Sequence, residues 1–190
     1  MQGSRVDKAK KAITKWLEKS VPDGTSIGLV TFNHDADIDQ PLIDLNESSL
    51  GKIIRAVANI RTGGGTCIGA GLRKAIENTA LFARKTGGTI ILVGDGEDGC
   101  NNDPDLNLDT IKALCIQTKK TVYGVNVGSR LDARVTDLAN KTGGKVFDVP
   151  DSLNVDQFNA ILKKICNDEC KGKVSCITTH SKMSMNIIFI

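Results

Sequence analysis

Short apolar runs alternate with longer amphipathic runs along most of the chain, and this alternation limits the fold more than any other feature. Runs rich in β-branched residues, such as SIGLVTFN at 26–33 and TIILV at 89–93, are typical of buried strands. Apolar residues spaced three and four apart predict amphipathic helices between them. In chain order we predict helix 6–17, strands 26–33 and 36–43, helices 50–60 and 68–85, strand 89–93, helix 106–118, strand 121–127, helix 131–141, strand 145–149 and helix 153–165.

Strands that alternate with helices pair in parallel through right-handed crossovers. The sequence therefore predicts an α/β fold with a doubly wound, Rossmann-like, mostly parallel sheet flanked by helices. Pro41 cannot donate to a strand ladder, which places its strand at an edge of the sheet. Because such sheets bind ligands at the carboxyl ends of their strands, functional residues are expected just after the predicted strands.

The chain length fits one domain, which we place at residues 1–165 of the 190. Residues 166–190 mix cysteine, lysine, serine and methionine without periodicity. We expect them to form an irregular tail; the alternative is that residues 187–190 add a strand or pack on the core.

Charge and hydropathy exclude several classes of partner. A net charge of +3 gives no reason to expect nucleic-acid binding, and the N-terminal lysines alternate with other residues as on a solvated helix face. No apolar run approaches the roughly 20 residues that span a bilayer, so direct membrane insertion is not expected. The first residues are polar and do not form a signal peptide.

Six cysteines without a C-x-x-C spacing leave both the compartment and the disulfide pairing open.

The segment VGDGEDG follows the predicted strand 89–93 directly and carries Asp95, Glu97 and Asp98. An aspartate at this point can be a simple turn former, but its attachment to a buried strand favours a metal or ligand role for Asp95. Thr66 lies where the glycine-rich loop ends and a helix begins. Its hydroxyl can cap that helix, which is the simpler interpretation of Thr66 alone, or bind a hard cation directly or through water.

The sequence gives little support for an enzymatic function. The loop GGGTCIGAGL has neither the G-x-G-x-x-G spacing of a dinucleotide site nor the G-x-x-x-x-G-K-[ST] spacing of a P-loop. The two histidines and six cysteines belong to no recognisable catalytic motif, so no catalytic residue is predicted. A nucleotide-dependent enzyme on a Rossmann-like sheet is the least favoured alternative.

Over residues 3–165 the chain resembles a von Willebrand factor type A domain, in the order of the segments SVPDGT, GGGTCIGAGLRKAI, IILVGDGEDG, VYGVNVGS and LANKTGGKVFDV. SVPDGT, GGTCI and DGEDG are similar to the type A domain of the calcium-activated chloride channel regulator family. The resemblance implies a metal-ion-dependent adhesion site, where Mg²⁺, Ca²⁺ or Mn²⁺ is bound and an acidic side chain of a protein partner completes the coordination. Thr66 and Asp95 match two of the implied metal ligands.

One part of the family pattern has no counterpart. The first metal-binding loop, an Asp-x-Ser-x-Ser segment after the first, central strand, would end where Met1 stands. We expect metal binding to be weak or absent, because Thr66 and Asp95 supply at most two of the six oxygens that Mg²⁺ requires. A missing central strand would also leave two open edges in the sheet. A fragment of a longer extracellular protein is the favoured explanation, and a degenerate domain is the alternative.

The function that follows from these residues and this resemblance is protein–protein binding of the adhesion type. The resemblance implies an extracellular or cell-surface setting. A metal-independent scaffold domain inside the cell is the main alternative, and the sensitivity of partner binding to EDTA separates the two.

Overall fold

Helices and strands alternate along the chain as the sequence predicts. The computed structural model describes residues 3–61, 63–81, 87–128, 131–149, 154–170 and 184–189. Within these residues there are six helices and six strands. Their bounds are α1 Ser4–Lys19, β1 Ser26–Phe32, β2 Ala36–Asp44, α2 Glu47–Asn59, α3 Ile68–Leu81, β3 Thr89–Gly94, α4 Leu108–Gln117, β4 Thr121–Asn126, α5 Ala133–Lys141, β5 Val146–Asp148, α6 Val155–Cys170 and β6 Ser184–Phe189.

In the first helix, the spacing of apolar residues determines which face is buried, and turn residues determine where the helix ends. Val6, Ile13 and Trp16 lie on one face of α1 and are buried. The helix ends before the turn at Pro22, and Gly24 in that turn has a φ of 79°, a conformation that glycine adopts without steric cost. The turn then delivers the chain into the buried strand β1.

The second helix begins at a reciprocal cap. The side-chain oxygen of Asn46 accepts a hydrogen bond from the Ser49 backbone N–H at 3.0 Å. The Asn46 backbone N–H donates in turn to the Ser49 hydroxyl at 2.9 Å. Two N–H groups that the first helical turn leaves without intrahelical partners are thereby satisfied.

The sheet has the order β2-β1-β6-β3-β4-β5, and all its neighbouring pairs except β1 with β2 are parallel. The predicted doubly wound, mostly parallel sheet is thus confirmed. Strand β2 lies at an edge, as Pro41 predicts. Its pairing with β1 is irregular, with register shifts between Ile27 and Leu29 and between Leu29 and Val30.

Strand β6 corrects two expectations about the middle of the sheet and the end of the chain. It lies between β1 and β3 and is parallel to both, at the place where the sequence predicts a gap with two open edges. Residues 166–170 belong to α6, and residues 184–189 form β6, so these parts of the chain follow the alternative of an added strand rather than an irregular tail. Residues 171–183 and 190 lie outside the described residues. Backbone pairing of β6 with β1 and β3 closes the two strand edges that would otherwise be open.

Helix bounds differ from the predictions by a few residues. The fourth helix begins at Leu108 because Asn107 caps it, its side chain accepting the Thr110 backbone N–H at 2.9 Å. The fifth begins at Ala133, after Asp132. The predicted end of the third helix, at 82–85, lies outside the described residues.

Helices cover both faces of the sheet, and successive residues of each strand face opposite layers. Ile91 and Val93 of β3 pack with α1, α2 and α6 in one apolar core. Ile90 and Leu92 pack with α3, α4 and α5 in the other. A strand that is apolar on both faces is expected in a sheet buried between two helical layers.

We predict that Gly69→Ala lowers the free energy of unfolding by about 2 kcal/mol, because overpacking forces the surrounding backbone to shift. A Cβ atom at Gly69, in the first turn of α3, would lie 1.7 Å from the Leu106 carbonyl oxygen. Urea denaturation followed by circular dichroism measures the change.

Gly51→Ala is the matched control, because Gly51 lies in α2 and a Cβ atom there would have no neighbour within 4 Å. Alanine should stabilise this position by roughly 0.5–1 kcal/mol through helix propensity. Equal effects of the two substitutions would show that the close approach of Leu106 to α3 is not as described.

Candidate functional site

Four loops meet at the carboxyl ends of the parallel strands. The Cys67 backbone N–H, just before α3, donates to the Asn33 carbonyl in the β1–β2 turn at 2.6 Å. The Gly99 N–H, after β3, donates to the Thr66 carbonyl at 2.6 Å. The Asp98 N–H donates to the Asp132 carboxylate, after β4, at 3.1 Å. These bonds tie the loops into one surface, which we call the carboxyl edge.

The structure places the two predicted site residues at the carboxyl edge. Asp95 directly follows β3, and its neighbour Gly96 lies against Thr66: a Cβ atom at Gly96 would be 3.6 Å from the threonine hydroxyl oxygen. Both Thr66 and Asp95 are half-buried, and Glu97 is exposed. Gly128 closes in behind Asp95, since a Cβ atom at Gly128 would lie 2.5 Å from that of Asp95. A side chain at position 128 would therefore collide with Asp95.

A cation of the chain itself faces Asp95. Nη1 of Arg5, in the first turn of α1, lies 3.8 Å from Oδ2 of Asp95. The Arg5 side chain is 37% exposed and that of Asp95 is 18% exposed. An ion pair with this much solvent contact contributes at most about 1 kcal/mol to stability, but it sets the charge around the carboxylate.

The described residues do not fit a complete site for a divalent ion. Mg²⁺ needs six oxygen ligands in near-octahedral geometry, and Thr66 and Asp95 offer two protein donors. In the part of the chain that the structure describes, no group of three or more histidine, cysteine, aspartate or glutamate side chains is close enough to hold a metal ion. The guanidinium beside Asp95 also disfavours a second positive charge there.

Asp98 is an interior residue, and the sequence alone does not reveal this. Its side chain is fully buried, and Oδ1 accepts the backbone N–H of Ile68, the first residue of α3, at 2.8 Å. Asp98 therefore satisfies the N-terminus of α3, the role that the sequence suggests for Thr66. Burial raises the pKa of Asp98 above its ordinary value, although the hydrogen bond from Ile68 opposes this shift.

Asp132 and Arg134 form a tight pair beside Asp98. Asp132 caps α5 by accepting the Arg134 backbone N–H at 2.9 Å, and its carboxylate also accepts the Nε and Nη2 groups of Arg134 at 3.0 and 2.6 Å. The side-chain hydrogen bonds from Arg134 lower the pKa of Asp132 to about 2. Nη2 of Arg134 is 3.9 Å from Oδ2 of Asp98, so the pair also places a positive charge next to the buried carboxylate.

We predict that Asp132→Asn lowers the free energy of unfolding by about 2 kcal/mol at pH 7. A carboxylate whose pKa is depressed by folding stabilises the protein above its ordinary pKa near 4, and this stabilisation is lost as the pH falls towards 2. The difference between variant and wild type should therefore vanish near pH 2. Urea denaturation at pH 7, 4 and 2 measures it.

Asp23→Asn controls for the loss of one negative charge, because Asp23 is exposed in the turn before β1. It should leave the unfolding free energy nearly unchanged over the same pH range. A constant deficit of the Asp132 variant from pH 7 to pH 2 would contradict the assignment of its effect to the ionised carboxylate.

A disulfide joins Cys67 to Cys100, a pairing that the sequence leaves open. Cys67 follows Thr66 directly, and Cys100 lies in the loop that begins at Asp95. The bond thus fastens the two loops that carry the predicted site residues. In the described part of the chain, Cys115 is a buried free thiol, and Cys166 is also buried.

We predict that reduction of this disulfide lowers the free energy of unfolding by about 3–4 kcal/mol. The bond closes a loop with a sequence separation of 33 residues, and the loop entropy restored to the unfolded chain accounts for the loss. Thermal melts with and without a phosphine reductant measure the effect. The Cys67→Ser/Cys100→Ser double variant should melt like the reduced wild type and should not respond to the reductant; a further drop would implicate another disulfide.

The chain matches the von Willebrand factor type A domain over residues 1–161, and it belongs to this family. Among curated proteins it is similar to calcium-activated chloride channel regulator 4 of Homo sapiens, with 27% identity over 194 residues. That match covers 96% of this chain and 20% of the relative. Regulator 1 of Homo sapiens is 29% identical over 171 residues, covering 84% of this chain and 17% of the relative. The chain therefore spans about a fifth of the length of these relatives.

Solved structures agree with the fold. A von Willebrand factor type A protein from Catenulispora acidiphila superposes with a TM-score of 0.68 at 20% identity, covering 84% of this chain and 37% of that one. Proximal thread matrix protein 1 from the mussel byssus, in a structure with a zinc-occupied MIDAS motif, gives a TM-score of 0.64 at 22% identity, covering 86% and 40%. Identities this low establish the shared fold alone.

Among the described residues, no helix has both the length and the apolar character needed to cross a bilayer.

Proposed function

We propose that this domain is an adhesion-type protein-binding module whose ligand docks at the carboxyl edge, around Thr66 and Asp95. Von Willebrand factor type A domains mediate protein–protein interactions and are generally not enzymes. The observation that carries the proposal is the fastening of the loops bearing these two polar, half-buried residues, by a disulfide and by a backbone hydrogen bond. A surface held in one conformation loses little entropy when a partner binds.

The partner that we propose is a protein that offers an acidic side chain. If a divalent ion takes part, Mg²⁺ or else Ca²⁺ or Mn²⁺, then Thr66 and Asp95 are its donors from this chain. Water would have to fill the other positions that the described residues leave. We therefore place the affinity for such an ion in the millimolar range or weaker, as is expected of poor oxygen-ligand sites.

The setting that we propose is extracellular or at the cell surface. The Cys67–Cys100 disulfide supports it, because such bonds persist in oxidising compartments and are rare in the cytosol. The same bond weighs against a scaffold domain inside the cell. Similarity to the chloride channel regulators supports the same setting.

The test is recovery of cell-surface proteins on the immobilised full chain and on its variants. We predict that Asp95→Ala lowers the affinity for a recovered partner at least tenfold, because the carboxylate lies between the loop that carries Thr66 and the loop after β4. Thr66→Ala should lower it roughly threefold, because a single hydroxyl contact is more easily replaced by water. Surface plasmon resonance with the purified partner measures both effects.

Asp23→Ala is the matched control, since it removes an exposed aspartate that precedes β1, at the opposite end of the strands. It should leave the affinity unchanged, and circular dichroism should show all variants folded. A partner that binds wild type and Asp95→Ala equally well would move the binding surface away from the carboxyl edge.

A further inference from the structure

Arg5 occupies a position that matters for any ligand of the carboxyl edge. It is the second residue of α1, and its guanidinium lies 3.8 Å from the Asp95 carboxylate. More than a third of the side chain is exposed, so a ligand that approaches Asp95 also reaches Arg5. Among the described residues no side chain caps the start of this helix at Gly3.

A divalent ion and Arg5 compete for the same carboxylate. An ion bound to Asp95 would lie within a few ångströms of the Arg5 guanidinium. Repulsion between them weakens metal binding, in addition to the shortage of oxygen donors among the described residues. The electrostatic requirement for a cation beside Asp95 is already met by the chain itself.

We infer that the guanidinium of Arg5 takes the place of a divalent ion at the carboxyl edge and binds the ligand's carboxylate directly. An arginine presents a planar fork of N–H donors that matches a carboxylate, and such charge-assisted pairs are strong. Asp95 then holds and orients the arginine through the ion pair at 3.8 Å. The ligand class rests on the proposed function, but the competition between Arg5 and a metal ion does not.

The competition is tested with Mn²⁺ alone, by electron paramagnetic resonance of the free ion in titrations of the full chain. Wild type should bind Mn²⁺ with a dissociation constant in the millimolar range or weaker. Arg5→Ala should bind it roughly threefold to tenfold more tightly, because the competing charge is gone. Lys11→Ala, which removes an exposed charge from the same helix, should behave like wild type. Arg5→Ala/Asp95→Ala should lose the gain.

Either of two results would overturn this part of the inference. One is submillimolar Mn²⁺ binding by wild type that depends on Asp95. The other is an Arg5→Ala variant with unchanged Mn²⁺ affinity. Circular dichroism and the thermal midpoint of each variant establish that it is folded before its titration is interpreted.

The carboxylate site is tested with acetate in the presence of EDTA. Titration of the wild-type chain should shift the backbone amide NMR signals of Thr66 and Gly96, and Arg5→Ala should abolish these shifts. Arg5→Lys should retain them at reduced affinity, since it keeps the charge without the fork. Shifts that require Mn²⁺, or that persist in Arg5→Ala, would overturn the site.

The two proposals fail in different ways. Partner binding that is abolished by EDTA would overturn the role of Arg5 and leave the adhesion function standing. Partner binding that is indifferent to Asp95→Ala would overturn the proposed docking surface, while the Mn²⁺ and acetate titrations would still decide what Arg5 does.

Discussion

Backbone pairing of β6 with two neighbours holds the sheet together. Without this strand the described elements would form two separate ribbons, β2-β1 and β3-β4-β5. Because Thr31 and Val93 are both in register with Phe189, one strand brings the carboxyl ends of β1 and β3 to the same level. The loops after these strands can then exchange hydrogen bonds across the edge. The candidate site therefore depends on pairing between segments 158 residues apart in the chain, such as Thr31 with Phe189.

Periodicity predicts most of the fold because each element carries its own apolar face. The parallel sheet, the edge position of β2 at Pro41 and the two helical layers all follow from local sequence. The place of β6 does not, since nothing in the residues 184–189 alone says which strands will pair with them. That position is set by the vacancy that the other strands leave between β1 and β3, and a vacancy is a property of the assembled sheet.

The residues of the candidate site, like the strands, are predictable only where local sequence determines them. Thr66 and Asp95 could be found because each stands at the end of a predictable segment, a glycine-rich loop and a buried strand. Asp98 belongs to the same acidic segment as Asp95, yet it lies inside the protein and caps a helix that begins 30 residues earlier. Arg5 carried no signal, because its partner is brought to it only by the packing of α1 against the sheet. A role that depends on a contact between segments distant in the chain cannot be predicted from local sequence patterns.

The outer edges of the sheet also bear on how such a domain meets other proteins. On one side β2 carries Pro41 and pairs irregularly with β1, and on the other β5 has three residues. Both are poor templates for an added strand, and short or interrupted edge strands are a known protection against aggregation. Recognition by β-strand addition, with its sequence-tolerant backbone contacts, is thereby disfavoured. A partner of such a domain would then have to be recognised through side chains and loops.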